Sequence, residues 1–429
     1  MRSSETASGK AILVIVDGLT AATFEQAVGD RSTPTLTALA DAGQYRRAVT
    51  TFPSLTPVCL TTLVTGAHPD VHHIPHLVWW HRGEQRIVEY GSSFGAIRAA
   101  GTRRSIRDTI VGMNGEHLSS SARTLYEDAE DAGLTAAAIN ITCYRGRTRH
   151  LPTVPGFVQA VHGPKRFFYY NLFESDPIGA PLAIRNRARG SVDEYAAAAA
   201  RWLVTRDGFD VLAYYLSDLD FASHVHGPEG VRTALGTIDR QVGILAGAAG
   251  GLDQLLERYA IVLCSDHGQT NVSAGVVRLK EHFGPEAVVT SSNRAAMLYG
   301  DDPRALAATL DGVAGVDVAC FLEDGRVVAR RRGDEDPALL DEYPEGPERV
   351  GAALRNPNAG EVLVSAAEGW EFADLAGSHH LGGGSHGSLV AGDSFVPMLS
   401  VGAGEPPART IDVKDTLLAA LGVAHAEVA

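Results

Sequence analysis

Four short, mainly apolar runs along the chain have the form of strands buried on both faces. They lie at residues 11–16, 135–142, 209–215 and 259–264. Runs of this kind and length are typical of a parallel sheet whose two faces are covered by helices. Helical patterns alternate with the runs, as at residues 119–132 ahead of the second one. The alternation predicts an α/β fold with a doubly wound, mainly parallel sheet flanked by helices.

Residues 272 to about 360 show a different pattern. Shorter strand-like runs at 295–299, 316–321 and 326–329 accompany one helical stretch at 303–310. Residues 334–358 are rich in Glu, Asp, Pro and Gly, which is typical of a loop. The length of 429 residues exceeds the usual size of a single core. We therefore expect an α/β core at 1–271 and 361–429, closed by a helix at 410–421, and an inserted α+β cap region at 272–360.

Charge and composition exclude several classes of protein. The formal net charge of the chain is -14. A protein that binds a nucleic-acid polymer needs a basic face, so this charge argues against that class. No apolar stretch is long enough to span a membrane, and the polar N-terminus lacks the pattern of a signal peptide. The four cysteines lie far apart without CxxC spacing, which favours free thiols in a reducing compartment. These features predict a cytoplasmic protein.

Carboxylates follow three of the apolar runs, at the strand ends where functional groups collect in α/β sheets. Asp17 follows the first run, and Asp220 precedes His224 by one helical turn, so both could face one metal ion. Asp266 and His267 lie on one loop after the fourth run. Each segment alone also fits a structural role, because Asp-Gly is a common turn and an i,i+4 pair can be a solvated surface pair.

Two further candidates come from a helix start and a glycine-rich run. Thr56 precedes Pro57 and a helical stretch at 58–65, which predicts Thr56 as the N-cap. Most such residues only cap a helix, but a helix N-terminus also favours a developing alkoxide. His386 lies in the run 382–387, where glycines permit close backbone approach. A flexible surface loop is the alternative there, and His380 is a neighbouring candidate.

Together these residues could hold two divalent cations and a nucleophile. Three carboxylates in one pocket repel each other, so burying them without cations is unfavourable. Mixed nitrogen and oxygen ligands favour Zn²⁺, with Mn²⁺ or Fe as alternatives. The candidate ligands are Asp17, Thr56, Asp220, His224, Asp266, His267 and His386.

The same segments resemble the type I nucleotide pyrophosphatase/phosphodiesterase branch of the alkaline phosphatase superfamily, which also includes phosphonoacetate hydrolase. Residues 51–74, TFPSLTPVCLTTLVTGAHPDVHHI, are similar to the nucleophile segment of that family. The resemblance implies an alkaline-phosphatase-like fold and hydrolysis of phosphate diesters or pyrophosphates through a phosphothreonine on Thr56. It assigns one zinc ion to Asp220, His224 and His386, and the second to Asp17, Asp266, His267 and the Thr56 oxygen.

Two departures from the family pattern concern the substrate. Pro57 stands where nucleotide-cleaving members carry an aromatic residue, and Leu77 stands where they carry a phosphate-binding Asn. Trp79 and Trp80 follow closely and could line the pocket or pack in the core. The expected substrate is a small phosphorylated or phosphonate compound.

An arginine pair opens an alternative function. Arg145 and Arg147 resemble the lysine pair of phosphonoacetate hydrolase, although a solvated loop would also explain them. The alternative is therefore a phosphonate or phosphomonoester hydrolase that binds substrate through this pair. A third possibility, from a different class, is a metal-binding protein without catalysis. The intact set of ligands and Thr56 argues against it.

Overall fold

The computed structural model describes residues 9–156, 158–175 and 191–423, whose strands form two large sheets and four two-stranded ones. Strands β1 to β12 are, in order, Ala11–Val16, Gln44–Val49, Val78–His81, Arg86–Glu89, Ala136–Ile139, Thr148–His150, Val161–Gly163, Arg166–Tyr169, Phe173–Ser175, Val211–Leu216, Ala260–Cys264 and Thr270–Asn271. Strands β13 to β22 are Gly275–Val277, Val288–Ser292, Ala295–Tyr299, Val316–Glu323, Arg326–Arg331, Asp334–Glu335, Val362–Ala366, Trp370–Phe372, Gly384–Ser385 and Phe395–Val401.

The helices cover the sheets and connect their strands. Helices α1 to α15 are Ala21–Gly29, Pro34–Ala42, Thr56–Thr65, Pro69–His72, Phe94–Ala100, Thr102–Arg107, Leu125–Asp131, Val192–Thr205, Asp218–His226, Arg232–Ala249, Leu252–Arg258, Pro303–Ala308, Gly346–Leu354, Ala391–Ser394 and Val413–Ala420. A π-helix spans Asp108–His117, and 3-10 turns lie at Leu279–His282, Pro337–Glu342 and Thr410–Asp412.

The main sheet has the strand order β2-β22-β11-β1-β10-β5-β8-β9. Strand β1 pairs in parallel with β10 and β11, and the parallel part continues through β5 to β8. Strand β22 is antiparallel to both of its neighbours, β11 and β2, and β9 is antiparallel to β8, so that β2 and β9 form the two edges of the sheet. In β1, Leu13 and Ile15 pack into one apolar cluster, whereas Val14 and Val16 pack into the cluster on the opposite face. The prediction of a mainly parallel sheet buried on both faces is confirmed.

Two predicted helices have different bounds in the structure. The helix expected at 119–132 begins at Leu125 because Thr124 and Glu127 form a reciprocal capping box that fixes its start. The closing helix expected at 410–421 begins as a 3-10 turn, Thr410–Asp412, and becomes α-helical at Val413–Ala420. Both differences lie at the N-terminal end of the helix, which apolar spacing alone does not define.

The second large sheet is antiparallel, with the order β14-β15-β19-β16-β17-β18. It contains the three strands predicted between residues 295 and 329. Strand β19, Val362–Ala366, lies between β15 and β16, although its residues follow the expected end of the insertion. We propose that the inserted unit extends through Phe372 at the end of β20, which pairs with β13.

Residues 334–358 are not the loop that their composition predicted. They contain a 3-10 turn and α13, Gly346–Leu354. Val350, Ala353 and Leu354 are buried, and their spacing of three and four residues forms one apolar face of this helix. Many charged and small residues surround that face, so the helical spacing of its apolar residues was not recognised in the sequence.

All four cysteines are free and buried. Within the described ranges, no helix is long and apolar enough to cross a membrane.

Candidate metal centre

The predicted ligand segments meet because three parallel strands end side by side. Val16 at the end of β1 pairs with Leu216 at the end of β10, and Ile15 pairs with Cys264 at the end of β11. The N–H of Asp17 continues the ladder by donating to the Leu216 carbonyl at 2.9 Å. The segments that follow the three strands therefore bring Asp17, Asp220 and Asp266 to one edge of the sheet.

Asp17, Asp266 and His267 form the first cluster, in which the ligand atoms lie within 4.8 Å of one another. The Nε2 of His267 is 3.3 Å from Asp17 Oδ1 and 3.5 Å from Asp266 Oδ2. Burial, and next the charge of Asp266, raises the pKa of Asp17 well above its usual value, and burial also raises the pKa of Asp266. Within the described chain, neither Asp17 Oδ1 nor Asp266 Oδ2 accepts a hydrogen bond. Buried carboxylate oxygens without donors suit a cation.

Asp220 is the centre of the second cluster. Its Oδ2 is 3.1 Å from His224 Nε2, and its Oδ1 is 3.8 Å from His386 Nε2. Burial opposes the charge of Asp220, but the nearby His224 reverses that effect and lowers the pKa of the carboxyl below its usual range. The side chains of Asp220 and His224 are only 11% and 14% exposed, so the pair faces the site and not solvent. Ligand atoms of Asp220, His267 and His386 also lie within 4.8 Å of one another, so His267 borders both clusters.

The three imidazoles are oriented in the same way. The Nδ1 of each ring faces a backbone carbonyl, that of Ser54 for His386 at 2.8 Å, of Gly384 for His224 at 2.8 Å, and of Gly268 for His267 at 3.1 Å. A proton on Nδ1 satisfies these carbonyls and leaves the Nε2 lone pair free to bind a cation. This is the orientation that histidine ligands of metal ions commonly have.

Three polar side chains that were not among the predicted site residues hold the carboxylates in place. The hydroxyl of Tyr215 donates to Asp17 Oδ2. The Nε2 of Gln269 donates to Asp220 Oδ1, and the Gln269 Oε1 accepts a hydrogen bond from Ser223 Oγ at 2.5 Å. Gln269 directly follows the Asp266-His267-Gly268 segment, which was the one available signal. Such partners fix the direction of a ligand.

Thr56 lies at the helix start that the sequence predicted, but it is not the N-cap. Helix α3 begins at Thr56 itself, Leu55 is the N-cap, and Pro57 occupies the second helical position. Proline is accepted there because the first turn leaves its N–H groups without helical partners. The Thr56 hydroxyl therefore does not cap the helix, and its Oγ1 lies 3.1 Å from His267 Nε2. The side chain is half-buried beside the first cluster.

Two further residues contact the imidazoles. The ring of His380 stacks on His224 with a centroid distance of 3.9 Å, and its Nδ1 is 3.1 Å from the buried carboxylate of Glu371. The Nδ2 of Asn293, from the turn between β14 and β15, lies 3.0 Å from His386 Nε2. His380 was a candidate ligand in the sequence, whereas Asn293 was missed because its segment is distant from every motif.

The predicted substrate residues lie elsewhere. Trp79 is buried and packs against the rings of His81, Tyr90 and His117. Arg145 and Arg147 both pair with Glu127, at 3.1 and 3.0 Å, and Arg147 also pairs with Asp131. Within the described ranges, the hydrogen bonds, ion pairs and ring contacts of Trp79, Arg145 and Arg147 involve none of the candidate ligands.

Comparison with known proteins gives the fold and the family. Among solved structures, phosphonoacetate hydrolase from Sinorhizobium meliloti in complex with phosphonoformate is similar at a TM-score of 0.64 and 18% identity, over 98% of this chain and 96% of that one. Murine ectonucleotide pyrophosphatase/phosphodiesterase 5 is similar at a TM-score of 0.64 and 16% identity, over 97% of this chain and 95% of that one. An inactive variant of the murine protein in complex with AMP is similar at a TM-score of 0.62 and 16% identity, over 97% of this chain and 95% of that one. The fold is alkaline-phosphatase-like.

No curated protein matches the chain in sequence. The family model described as type I phosphodiesterase / nucleotide pyrophosphatase matches residues 11–389, which contain the segments of both clusters and Thr56. The chain therefore belongs to the type I phosphodiesterase/nucleotide pyrophosphatase family of hydrolases.

Proposed function

We propose that the protein hydrolyses phosphate diesters or pyrophosphates through a phosphothreonine intermediate at a two-zinc site. The distance of 3.1 Å between Thr56 Oγ1 and His267 Nε2 carries this proposal. His267 borders both clusters, so the hydroxyl lies beside the place where two cations would be held. Thr56 is also the first residue of α3, where the helix dipole favours negative charge on its oxygen.

The residues present fit the metal ions that the family implies. Asp220, His224 and His386 would hold one ion, and Asp17, Asp266, His267 and the Thr56 oxygen would hold the other. The free carboxylate oxygens and the shared imidazole orientation support this assignment. Zn²⁺ suits the mixed ligands, with Mn²⁺ or Fe as alternatives. When bound, two such ions would stabilise charge on the phosphoryl oxygens and lower the pKa of a nucleophile.

In the first step, Thr56 Oγ1 gives up its proton to water and forms a bond to phosphorus, while the bond to the leaving oxygen breaks and that oxygen takes up a proton from water. In the second step, water attacks the phosphorus of the phosphothreonine, the bond to Oγ1 breaks, and Oγ1 takes up a proton released by the attacking water, which returns the hydroxyl. Tyr215 and Gln269 keep the Asp17 and Asp220 carboxylates in one orientation throughout. The half-buried position of Thr56 leaves its oxygen open to a small substrate.

Hydrolysis of a phosphonate or a phosphomonoester is the second candidate. Pro57 removes the aromatic side chain expected beside a nucleobase, and the structurally similar phosphonoacetate hydrolase has been solved with phosphonoformate. The acidic partners of Arg145 and Arg147 weaken this candidate, because the pair that was to bind the phosphonate is occupied. Either substrate is a small anion, and the four buried free thiols support a cytoplasmic setting.

The test compares hydrolysis of a nitrophenyl nucleotide diester with that of nitrophenyl phosphate and of a small phosphonate, each with added zinc and with chelator. Zinc-dependent turnover that prefers the diester is the expected result. Preference for the monoester, or turnover of a phosphonate alone, would replace the first proposal by the second. Stoichiometric zinc binding without turnover of any of these substrates would leave a metal-binding protein.

A further inference from the structure

Asn293 brings a side-chain amide from the inserted sheet to the metal centre. It lies in the tight turn between β14 and β15, in the left-handed region with φ of +56°, and its side chain is buried. The turn is fixed on two sides. The backbone carbonyl of Asn293 accepts a hydrogen bond from the N–H of Phe372 at 2.7 Å. The N–H of Arg294 donates to the backbone carbonyl of His386 at 2.8 Å.

The orientation of the Asn293 amide is determined by its neighbour. Ser292 Oγ donates to Oδ1 at 2.7 Å, so the Nδ2 group points the other way, to within 3.0 Å of His386 Nε2. Nε2 is the ring nitrogen left free by the contact between Nδ1 and Ser54. A cation bound to His386 Nε2 would use the lone pair of that nitrogen, so Nε2 could no longer accept a hydrogen bond from the Asn293 amide.

A buried amide donor without an acceptor is costly unless another acceptor replaces the first. The acceptor that a hydrolytic site brings beside its cation is an oxygen of the anionic substrate. Three other polar side chains that contact the ligands have partners already. Gln269 holds Asp220, Tyr215 holds Asp17, and His380 holds Glu371.

We propose that Asn293 Nδ2 donates a hydrogen bond to a phosphoryl or phosphonyl oxygen of the substrate. The inference rests on the proposed function and assigns the inserted region a direct part in binding the anion. It also explains how the site can work with Leu77 at the position where the family carries its phosphate-binding Asn. Leu77 is half-buried and has no side-chain donor.

The test measures binding of inorganic phosphate by calorimetry to zinc-loaded protein carrying Thr56→Ala, which removes turnover. Asn293→Gly keeps the left-handed turn and removes the amide, whereas Asn293→Asp keeps the shape and replaces the donor by a carboxylate. Asp324→Gly is the matched control. Asp324 is exposed, with φ of +49°, in the turn between β16 and β17 of the same sheet. Zinc content and melting temperature are measured for each protein.

We expect Asn293→Gly to weaken phosphate binding about 10-fold or more, because a hydrogen bond to a charged group is lost. Asn293→Asp should weaken it further, and Asp324→Gly should leave it unchanged, all at equal zinc content. An unchanged Kd in Asn293→Gly would overturn the inference. Loss of zinc in both Asn293 variants would also overturn it, because Asn293 would then only position His386.

Failure of this inference differs from failure of the proposed function. A protein that hydrolyses the nucleotide diester while Asn293→Gly binds phosphate normally refutes the role of Asn293 alone. If phosphate binding requires Asn293 but the protein hydrolyses neither the diester nor the monoester, the role of Asn293 in binding the anion stands and the proposed reaction is refuted. No phosphate binding by the zinc-loaded Thr56→Ala parent would overturn the inference at once.

Discussion

The imidazole rings of His267 and His386 lie parallel, with their centroids 3.6 Å apart and their planes inclined by 9°. Burial, and next the proximity of His267, lowers the pKa of His386 well below its usual value. Two rings this close repel each other when both are protonated, so the contact favours neutral imidazoles. A neutral ring with a free Nε2 is the form in which histidine binds a metal ion.

Replacing Thr56 by Ala should abolish turnover, by a factor on the order of 10⁴ or more, because no other group replaces a lost nucleophile. The variant should retain zinc at the site of Asp220, His224 and His386, which does not use Thr56. Thr56→Ser, which keeps a hydroxyl, is the control and should retain measurable turnover. Initial rates and metal content check both proteins, and turnover in Thr56→Ala equal to that of the parent would remove the nucleophile assignment.

Replacing His386 by Ala should lower the zinc content, because this imidazole faces Asp220 and His267. His380→Ala should retain zinc, since the His380 ring contacts His224 and Glu371. Each variant removes one imidazole from the same short segment of the chain, so each serves as a control for the other. Elemental analysis after dialysis measures the stoichiometry. Unchanged zinc in His386→Ala together with loss in His380→Ala would exchange the two roles.

Much of the fold followed from local pattern. The strand at 11–16 was predicted with its observed bounds because all six residues are apolar and face two cores. The convergence of Asp17, Asp220 and Asp266 followed from the rule that parallel strands end at the same edge. These features depend on sequence neighbours and on one general property of α/β sheets, and both can be read without coordinates.

The features that escaped prediction depend on contacts between distant segments. Asn293 meets His386 only because the inserted sheet packs against the glycine-rich run. The acidic partner of Arg145 is Glu127, whose place in the first turn of α7 depends on where the capping box starts the helix. Neither contact leaves a periodic signal or a recognisable spacing in the sequence.

Removing the metal ions should destabilise the protein, because the buried carboxylates of Asp17, Asp220 and Asp266 would then face one another uncompensated. A ligand present at about 1,000 times its Kd stabilises the folded state by about 4 kcal/mol. We expect a lower melting temperature in chelator, restored by zinc and not by magnesium, which prefers oxygen ligands alone. Equal melting temperatures with and without chelator would contradict a metal-filled site.

Replacing Arg145 by Met should reduce stability and leave substrate affinity unchanged. The Glu127 side chain is only 5% exposed, and Arg145→Met removes the better buried of its two arginine partners, at a cost of about 2 kcal/mol. Arg147→Ala is the matched comparison. This side chain is 45% exposed, so its ion pairs should contribute about 1 kcal/mol or less. Denaturant unfolding and KM for the diester are the measurements. A raised KM at unchanged stability would return the pair to the substrate site.

Buried His76 should make the folded state sensitive to acid. Burial lowers the pKa of His76 from its ordinary value of 6.5 to about 4. Its share of stability is therefore complete above pH 6.5 and is lost as the pH falls toward 4, because the unfolded chain takes up the proton first. The total loss is about 3 kcal/mol. His76→Asn keeps an acceptor for the Val78 N–H, which Nδ1 accepts at 3.1 Å, and removes the titrating ring.

Unfolding free energies near pH 7 and near pH 5 should therefore differ less in His76→Asn than in the parent protein. Both proteins carry the same candidate metal ligands, so any release of zinc by acid contributes equally and cancels in the comparison. His162→Asn is the control, because His162 is exposed. If the pH dependence of His76→Asn equals that of the parent and of His162→Asn, then His76 is not the neutral, desolvated ring that its burial requires.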